Sequence, residues 1–181
     1  MTTETKAATG ARIARTGPDS IRLERVLEAP PEKVWRYLTE ADLRREWFMG
    51  GTDARAGETF ELHIDHDNLS TDDVPYPESY AASKGLRWSE QVLRFDPPHV
   101  LEMTFGDGGK GIVTFELFGE DERTRLVLTH SGIVSGTGAQ DFGGGWTSHL
   151  AVLAERLAGR SVRDFWALHA LSREEVAEAL G

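Results

Sequence analysis

The sequence predicts an α+β fold: a curved antiparallel β-sheet wrapped around one long C-terminal α-helix, with two short helices after the first strand. Two observations carry this. Six short stretches alternate apolar and polar residues with a period of two, and turn signals join the later ones pairwise. One long amphipathic stretch then follows at 137–159, where Phe142, Trp146, Leu150, Leu153 and Leu157 stand four, four, three and four residues apart, a single helical stripe. A sheet curled around a helix commonly leaves a hollow, and hollows with apolar walls bind small molecules.

Residues 1–19, rich in Thr, Ala, Gly and charge and ending in Gly17-Pro18-Asp19, read as a flexible N-terminal arm. Strand one is expected at 20–28, where Ile21, Leu23 and Leu27 alternate with Arg22, Glu24 and Glu28. Ala29-Pro30-Pro31 ends it, and Pro31 suits a first helical position, where its missing N–H costs nothing. The first helix then covers 32–38 with Val34, Trp35 and Leu38 on one face. A second begins at Thr39, whose hydroxyl is expected to cap an N–H near Asp42, and Phe48-Met49-Gly50-Gly51 stops it.

Strand two at 58–66 turns Phe60, Leu62 and Ile64 one way and Thr59, Glu61, His63 and Asp65 the other. Residues 67–84 hold four acids, two prolines and two tyrosines without periodicity, a long acidic insertion expected to act as a lid loop or to be disordered. Strands follow at 87–95 and 99–105 around the turn Asp96-Pro97-Pro98, then at 111–119 and 124–131 around Glu120-Asp121-Glu122-Arg123. After the long helix, Ser161 and Ser172 resemble N-caps, the latter with Glu175 three residues on, so 161–181 is expected to be a C-terminal extension of two short helices.

Bulk properties narrow the function classes. A chain of 181 residues with 39% hydrophobic content fits one domain with a substantial core, here 20–160. A formal charge of −10 argues against nucleic acid, whose phosphates are bound by Lys and Arg, and against an anionic membrane surface. There is no cysteine, which excludes thiol nucleophiles, disulfides and Cys-ligated zinc. No apolar run approaches the ~20 residues of a membrane span, and 1–20 hold no continuous apolar stretch, so the expected compartment is the cytoplasm.

Four segments in order carry a resemblance. Ala29-Pro30-Pro31-Glu32-Lys33-Val34-Trp35 with Leu38-Thr39 and Trp47-Phe48 opens it; Phe95-Asp96-Pro97-Pro98, then Thr124 to Gly132, then Gly145-Trp146 with Leu150 and Leu153 continue it. Over about 20–160 the chain resembles the START-like (SRPBCC) superfamily. Within it, the chain is most similar to the branch of the activator of heat-shock protein 90 ATPase C-terminal domain. The resemblance implies a helix-grip fold with a cavity between sheet and helix, and for this branch a chaperone partner and a stress-response role. Lipid carriers, polyketide cyclases and co-chaperone domains share the superfamily, so fold alone does not choose among them. The acidic insertion, the triplet Gly143-Gly144-Gly145 and the tail depart from the branch's usual shape.

Among residues that carry chemistry, His130 shares strand parity with Leu126 and Leu128 and is expected to face the interior. It is either a ligand-orienting or acid/base imidazole, or a core histidine bonded to backbone or an acid. Arg25 falls on the apolar side of strand one and, facing inward, must meet a carboxylate or the cavity water, with Glu90 one possible partner. His130, Arg25 and Glu90 are thus the candidate catalytic residues, against the plainer reading of a structural ion pair. His63, Asp65 and His66 supply only two converging ligands from a strand, too few for zinc, and are expected to be solvated. No metal and no cofactor is expected. The glycine triplet indicates either a flexible helix start or a close approach of helix to sheet.

The leading expectation is binding of a small hydrophobic or amphipathic ligand in the internal cavity, lined by Trp47, Phe48, Trp88, Met103, Phe105, Phe115, His130, Phe142 and Trp146. The alternatives are a cavity enzyme of cyclase or dehydratase type with His130 as acid/base, and a co-chaperone-like module. No nucleic-acid partner and no membrane insertion is expected, and the apolar tail leaves a homodimer open.

Overall fold

The computed structural model describes residues 9–106, 111–134 and 136–181. Its strands are β1 (Arg12–Gly17), β2 (Ser20–Leu27), β3 (Gly50–Gly51), β4 (Thr59–His63), β5 (Arg87–Asp96), β6 (Val100–Thr104), β7 (Ile112–Glu120) and β8 (Arg123–Ser131). Its helices are α1 (Pro31–Thr39), α2 (Ala41–Arg44), α3 (Glu78–Ala81), α4 (Gly138–Leu157) and α5 (Phe165–Leu180). The strands form one antiparallel sheet in the order β1-β2-β8-β7-β6-β5-β4-β3. This is the α+β sheet-around-helix architecture that the two periodicities predict. No helix among the described residues is long and apolar enough to cross a membrane.

Strand parity builds the core. Ile21, Leu23 and Leu27 of β2, Leu126 and Leu128 of β8, and Val113, Phe115 and Leu117 of β7 are all buried. Against them α4 lays Trp146, Leu150, Leu153 and Leu157. Each fully buried leucine of this kind contributes roughly 1.5–3 kcal/mol, so Leu150→Ala would open a hole at the centre of the grip. Unlike a helix with one apolar stripe, α4 is buried almost all round: Gly143, Gly144, Thr147, Ser148, His149 and Val152 are covered as well. The cover is α5, which buries Phe165 and Val176. The apolar face of the tail is therefore used within the same chain.

Several local expectations are corrected. Part of the stretch assigned to a flexible arm is strand β1, paired with β2 from Arg12↔Glu24 to Gly17↔Ser20 around the turn Pro18-Asp19. The turn signal was real, but it joins two strands, and Ile13 packs on the core beside α4. The first eight residues of the expected arm, like Ser135 ahead of α4, lie outside the described residues. Thr39 does not cap α2. Its hydroxyl donates back to the Trp35 carbonyl at 2.9 Å, and Asp53 Oδ1 accepts from the Ala41 N–H at 2.9 Å instead. The tail is one helix, capped by Asp164, which accepts from the Ala167 N–H at 2.9 Å. No Gly or Pro interrupts 165–180, and Ser172 satisfies its hydroxyl on the Leu168 carbonyl at 2.8 Å, the mid-helix alternative to capping.

The glycine triplet resolves by position. A Cβ on Gly143 would meet Ile13 and Val176 methyls at 2.9 Å each, and one on Gly144 would meet Arg173 Cγ at 2.8 Å. One on Gly145 would meet nothing within 4 Å. Two of the three therefore serve close approach, chiefly to α5 and β1.

Residues 67–84 carry a single 3-10 turn at Asp67–Leu69 and the helix α3. Backbone bonds Thr71 N→Val162 O and Asp72 N→Arg163 O, both 3.0 Å, tie the segment to the linker before α5. The Tyr80 ring stacks on Trp166 with centroids 5.0 Å apart. The insertion and the tail thus pack on each other.

Candidate functional site

Where the insertion, α4 and α5 meet, they enclose a pocket of about 410 Å³. α5 projects Phe165, His169 and Arg173 into it at spacing four, one helical face, with Trp166 beside them. α4 contributes His149 and Gly145, α3 contributes Tyr80, and His66 enters just past the end of β4. Aromatic and imidazole rings form a continuous wall. His66 lies 4.8 Å from Trp166 and 5.4 Å from His149 between ring centroids, and His149 lies 5.0 Å from Phe165.

Donor and acceptor roles fix most of the protons. His149 Nδ1 lies 2.8 Å from the Trp47 carbonyl oxygen, which only accepts, so Nδ1 carries the hydrogen and Nε2 the lone pair. Arg173 Nη1 donates to Tyr80 Oη at 2.8 Å, so the phenol turns its own hydrogen to His169 Nε2 at 2.9 Å. His169 Nδ1–H then donates to Ser148 Oγ at 2.9 Å, and Ser148 donates to the Gly144 carbonyl at 2.9 Å. One directed chain runs from an exposed guanidinium to the backbone of α4.

The histidines are held neutral. Burial pushes His66 down to about 4, and the nearby His169 adds to this. His169 is likewise lowered to about 4, first by burial and then by Arg173. Burial, with His66 second, holds His149 well below the ordinary imidazole value. Tyr76, bonded to His66 Nδ1 at 2.5 Å, is pushed up to about 12 by burial and stays a phenol. A site of neutral imidazoles and phenols in aromatic walls suits uncharged or amphipathic molecules. Among the described residues, no group of three or more His, Asp or Glu is arranged to hold a metal ion.

The sequence-predicted residues fall elsewhere, mostly just behind this wall. His130 is fully buried on the predicted face, and its Nδ1 accepts from Trp146 Nε1 at 3.1 Å. Glu90 is buried too, but it is held by Trp88 Nε1 at 2.8 Å, the Gly106 N–H at 3.2 Å and the Thr104 hydroxyl. Arg25 has the predicted parity, yet its guanidinium turns to the Thr9 carbonyl and the field of Glu155. Arg25 and Glu90 share no hydrogen bond or ion pair among the described residues, so the expected partnership is not formed.

The expected lining residues interlock as rings. Phe48 lies 5.0 Å from Trp146 and 5.8 Å from Phe105, Phe115 lies 5.9 Å from Trp146, and Phe142 lies 4.5 Å from His130. Trp88 approaches Phe105 at 6.5 Å, Met103 is buried nearby, and Trp47 stacks on Phe48. This cluster reaches the pocket through Phe48, which meets the His149 edge at 5.1 Å.

Sequence reasoning missed His149, His169, Tyr80 and Trp166, and it read His66 as solvated. A signal existed for two of them. His149 follows Trp146 by three residues on the apolar stripe, and His169 follows Phe165 by four. The contribution of the insertion had none, because it depends on a docking such as Tyr80 on His169, 89 residues apart in sequence.

A curved antiparallel sheet closed on a long C-terminal helix defines a helix-grip protein. Within that class the chain belongs to the family described as Activator of Hsp90 ATPase homolog 1-like protein, whose profile matches residues 28–158. Similar solved structures include a Bordetella parapertussis protein determined by solution NMR. It is 40% identical, with a TM-score of 0.76 over 92% of this chain and 89% of its own. CalU16 from Micromonospora echinospora is 22% identical, with a TM-score of 0.62 over 97% of this chain and 92% of its own. A conserved Enterococcus faecalis protein is 19% identical, with a TM-score of 0.60 over 92% of this chain and 91% of its own. The last two share the fold. No protein of curated function matches.

Proposed function

We propose that the chain is a binding module for a small amphipathic molecule, held in the pocket between α4, α5 and the insertion. One observation carries this reading. His149 lines this pocket with its Nδ1 proton committed to the Trp47 carbonyl, so the lone pair it keeps for a ligand's donor is that of Nε2.

The same features favour binding over acid/base turnover. A general base works best with a pKa near the working pH, whereas burial holds His149 far below it. His130, the other acid/base candidate, lies fully buried behind the pocket wall. The ring cluster of Phe48, Phe105 and Trp146 serves in this reading as the rigid backing that orients His149. A chaperone partner is the reading that the family description raises.

The test is native mass spectrometry of gently purified protein, followed by NMR titration with whatever is extracted from it. A reproducible adduct whose addition shifts the Trp166 indole and His149 ring signals is the expected result. A clean apo mass, with those signals unmoved across a panel of aromatic and aliphatic amphiphiles, overturns the binding reading and leaves chaperone capture as the assay to run.

A further inference from the structure

The insertion is fastened to the rest of the chain in two ways. At both ends the backbone holds it. The Thr71 and Asp72 N–H groups donate to the Val162 and Arg163 carbonyls at 3.0 Å each, just after the fully buried Leu69. Past the other end, the Gly85 N–H donates to the Ile64 carbonyl at 2.9 Å and the Ile64 N–H to the Leu86 carbonyl at 3.0 Å. Residues 73–84 between these anchors are held differently. Among the described residues, their backbone hydrogen bonds to other backbone groups stay within 77–86, and none of their side chains is buried. Two tyrosines dock the stretch by side chain instead. Tyr80 stacks on Trp166 with centroids 5.0 Å apart, and its oxygen bonds His169 Nε2 at 2.9 Å and Arg173 Nη1 at 2.8 Å. Tyr76 Oη bonds His66 Nδ1 at 2.5 Å, and its ring meets Trp166 at 4.9 Å between centroids.

We propose that residues 73–84 form a flap, latched by Tyr80 and Tyr76, that opens to admit a ligand to the pocket and closes over it; this rests on the binding reading above. Ser79, Tyr80 and Ser83 are the flap's share of the pocket wall, and lifting them uncovers Trp166 and His169. The opposite wall yields less easily, because α4 and α5 are tied into the fold by buried side chains such as Leu150, Phe165 and Val176. Opening costs the flap only half-exposed contacts, whose polar groups take water in exchange. Stretches with few buried apolar contacts and no backbone bonds to the body open far more often than a domain unfolds. Gly85 suits the hinge. Its φ of +83° is one that a side chain would strain, while a Cβ there would meet nothing within 4 Å, so the glycine serves the turn and not the packing.

The experiment follows N-phenyl-1-naphthylamine, an uncharged fluorophore, by stopped flow into the full chain and into its Tyr80→Phe and Tyr76→Phe variants. Both variants keep the ring and lose latch bonds, two at Tyr80 and one at Tyr76. A looser latch raises the open population, so entry and exit should both quicken, about tenfold in Tyr80→Phe and about threefold in Tyr76→Phe. Tyr76 is not part of this pocket's wall, so its variant reports the flap and not a lost ligand contact. In the free protein, nitrogen relaxation dispersion should show microsecond-to-millisecond exchange at the Tyr76, Tyr80 and Ser83 amides and none at Thr71 and Asp72. Unchanged rates in both variants, faster exit with unchanged entry, or exchange shared equally by Thr71 and Tyr80 overturns the flap while leaving a binding pocket in place. Failure of the fluorophore to shift the Trp166 indole signal counts against the binding reading itself, and the amide contrast in the free protein then decides the flap.

Discussion

His149 donates its Nδ1 proton to the Trp47 carbonyl oxygen at 2.8 Å, and this bond ties the middle of α4 to the chain that follows α2. Both groups are buried, so neither has water as an alternative. His149→Phe keeps the ring but strands the carbonyl, and the unfolding free energy should fall by roughly 1–3 kcal/mol. His149→Asn places its amide N–H close to the position of Nδ1 and should recover part of that loss. Urea denaturation of the two variants checks the claim; equal losses would mean that ring packing, not the bond, sets the cost.

The pocket histidines make stability depend on pH in a defined window. His66 and His169 titrate near 4 when folded, and His149 is held lower than the ordinary value as well. Unfolded, all three titrate near about 6.5. Between those limits the unfolded chain binds more protons, so stability rises with pH through the window and its full value is present above about 6.5. On acidification it is lost progressively until the folded pKa values are passed. Each histidine contributes at most about 1.4 kcal/mol per pH unit, and less for the partly exposed His66 and His169. Urea midpoints measured across the window should fall with acid, and the double variant His66→Phe/His169→Phe should flatten the slope. An unchanged slope would place the titration elsewhere.

How much of this was legible follows from the range of the interactions. Strand parity is local, so Leu126, Leu128 and His130 were assigned to the interior correctly. Helical spacing is local too, and it found Trp146, Leu150, Leu153 and Leu157. What parity does not report is which side chain waits opposite. Parity puts Arg25 on the right face but not beside Glu90: its guanidinium donates to the Thr9 carbonyl, and Glu155 is the charge that acts on it. The pocket was illegible for the same reason. Tyr80 meets His169 across 89 positions, and no spacing rule encodes the docking of an aperiodic insertion onto a tail helix.

Arg44 is a buried charge to which no carboxylate is bonded among the described residues, and it should behave as a backbone staple. Its guanidinium donates to the carbonyls of Met49 at 3.0 Å, Thr52 at 2.7 Å and Gly50 at 3.3 Å, and it sits 5.2 Å from the Phe60 ring centre. Burial lowers its pKa to about 10, still far enough above neutrality to keep the charge. A lysine has a single ammonium and cannot span three carbonyls with a planar fork. Arg44→Lys should therefore lose about 2–3 kcal/mol of stability by denaturant titration, with exposure of the β3 turn visible in hydrogen exchange. A loss within error would show that the carbonyls find water in its place.

Gly143 and Gly145 are two residues apart in one helix, and the same substitution should move stability in opposite directions. At Gly143 an alanine Cβ would press on Ile13 and Val176 methyls at 2.9 Å, where strand β1 and helix α5 both converge on α4. Neither neighbour is the free end of a surface chain, so overpacking should cost roughly 1–3 kcal/mol. At Gly145 the new methyl meets nothing within 4 Å, and the helix propensity of alanine should then add about 0.8–1 kcal/mol. Thermal melts of the two single variants give the comparison directly. Because Gly145 also borders the pocket, ligand titration of Gly145→Ala adds a second check: a stabilised variant that binds the extracted ligand less tightly would put that ligand against the α4 wall.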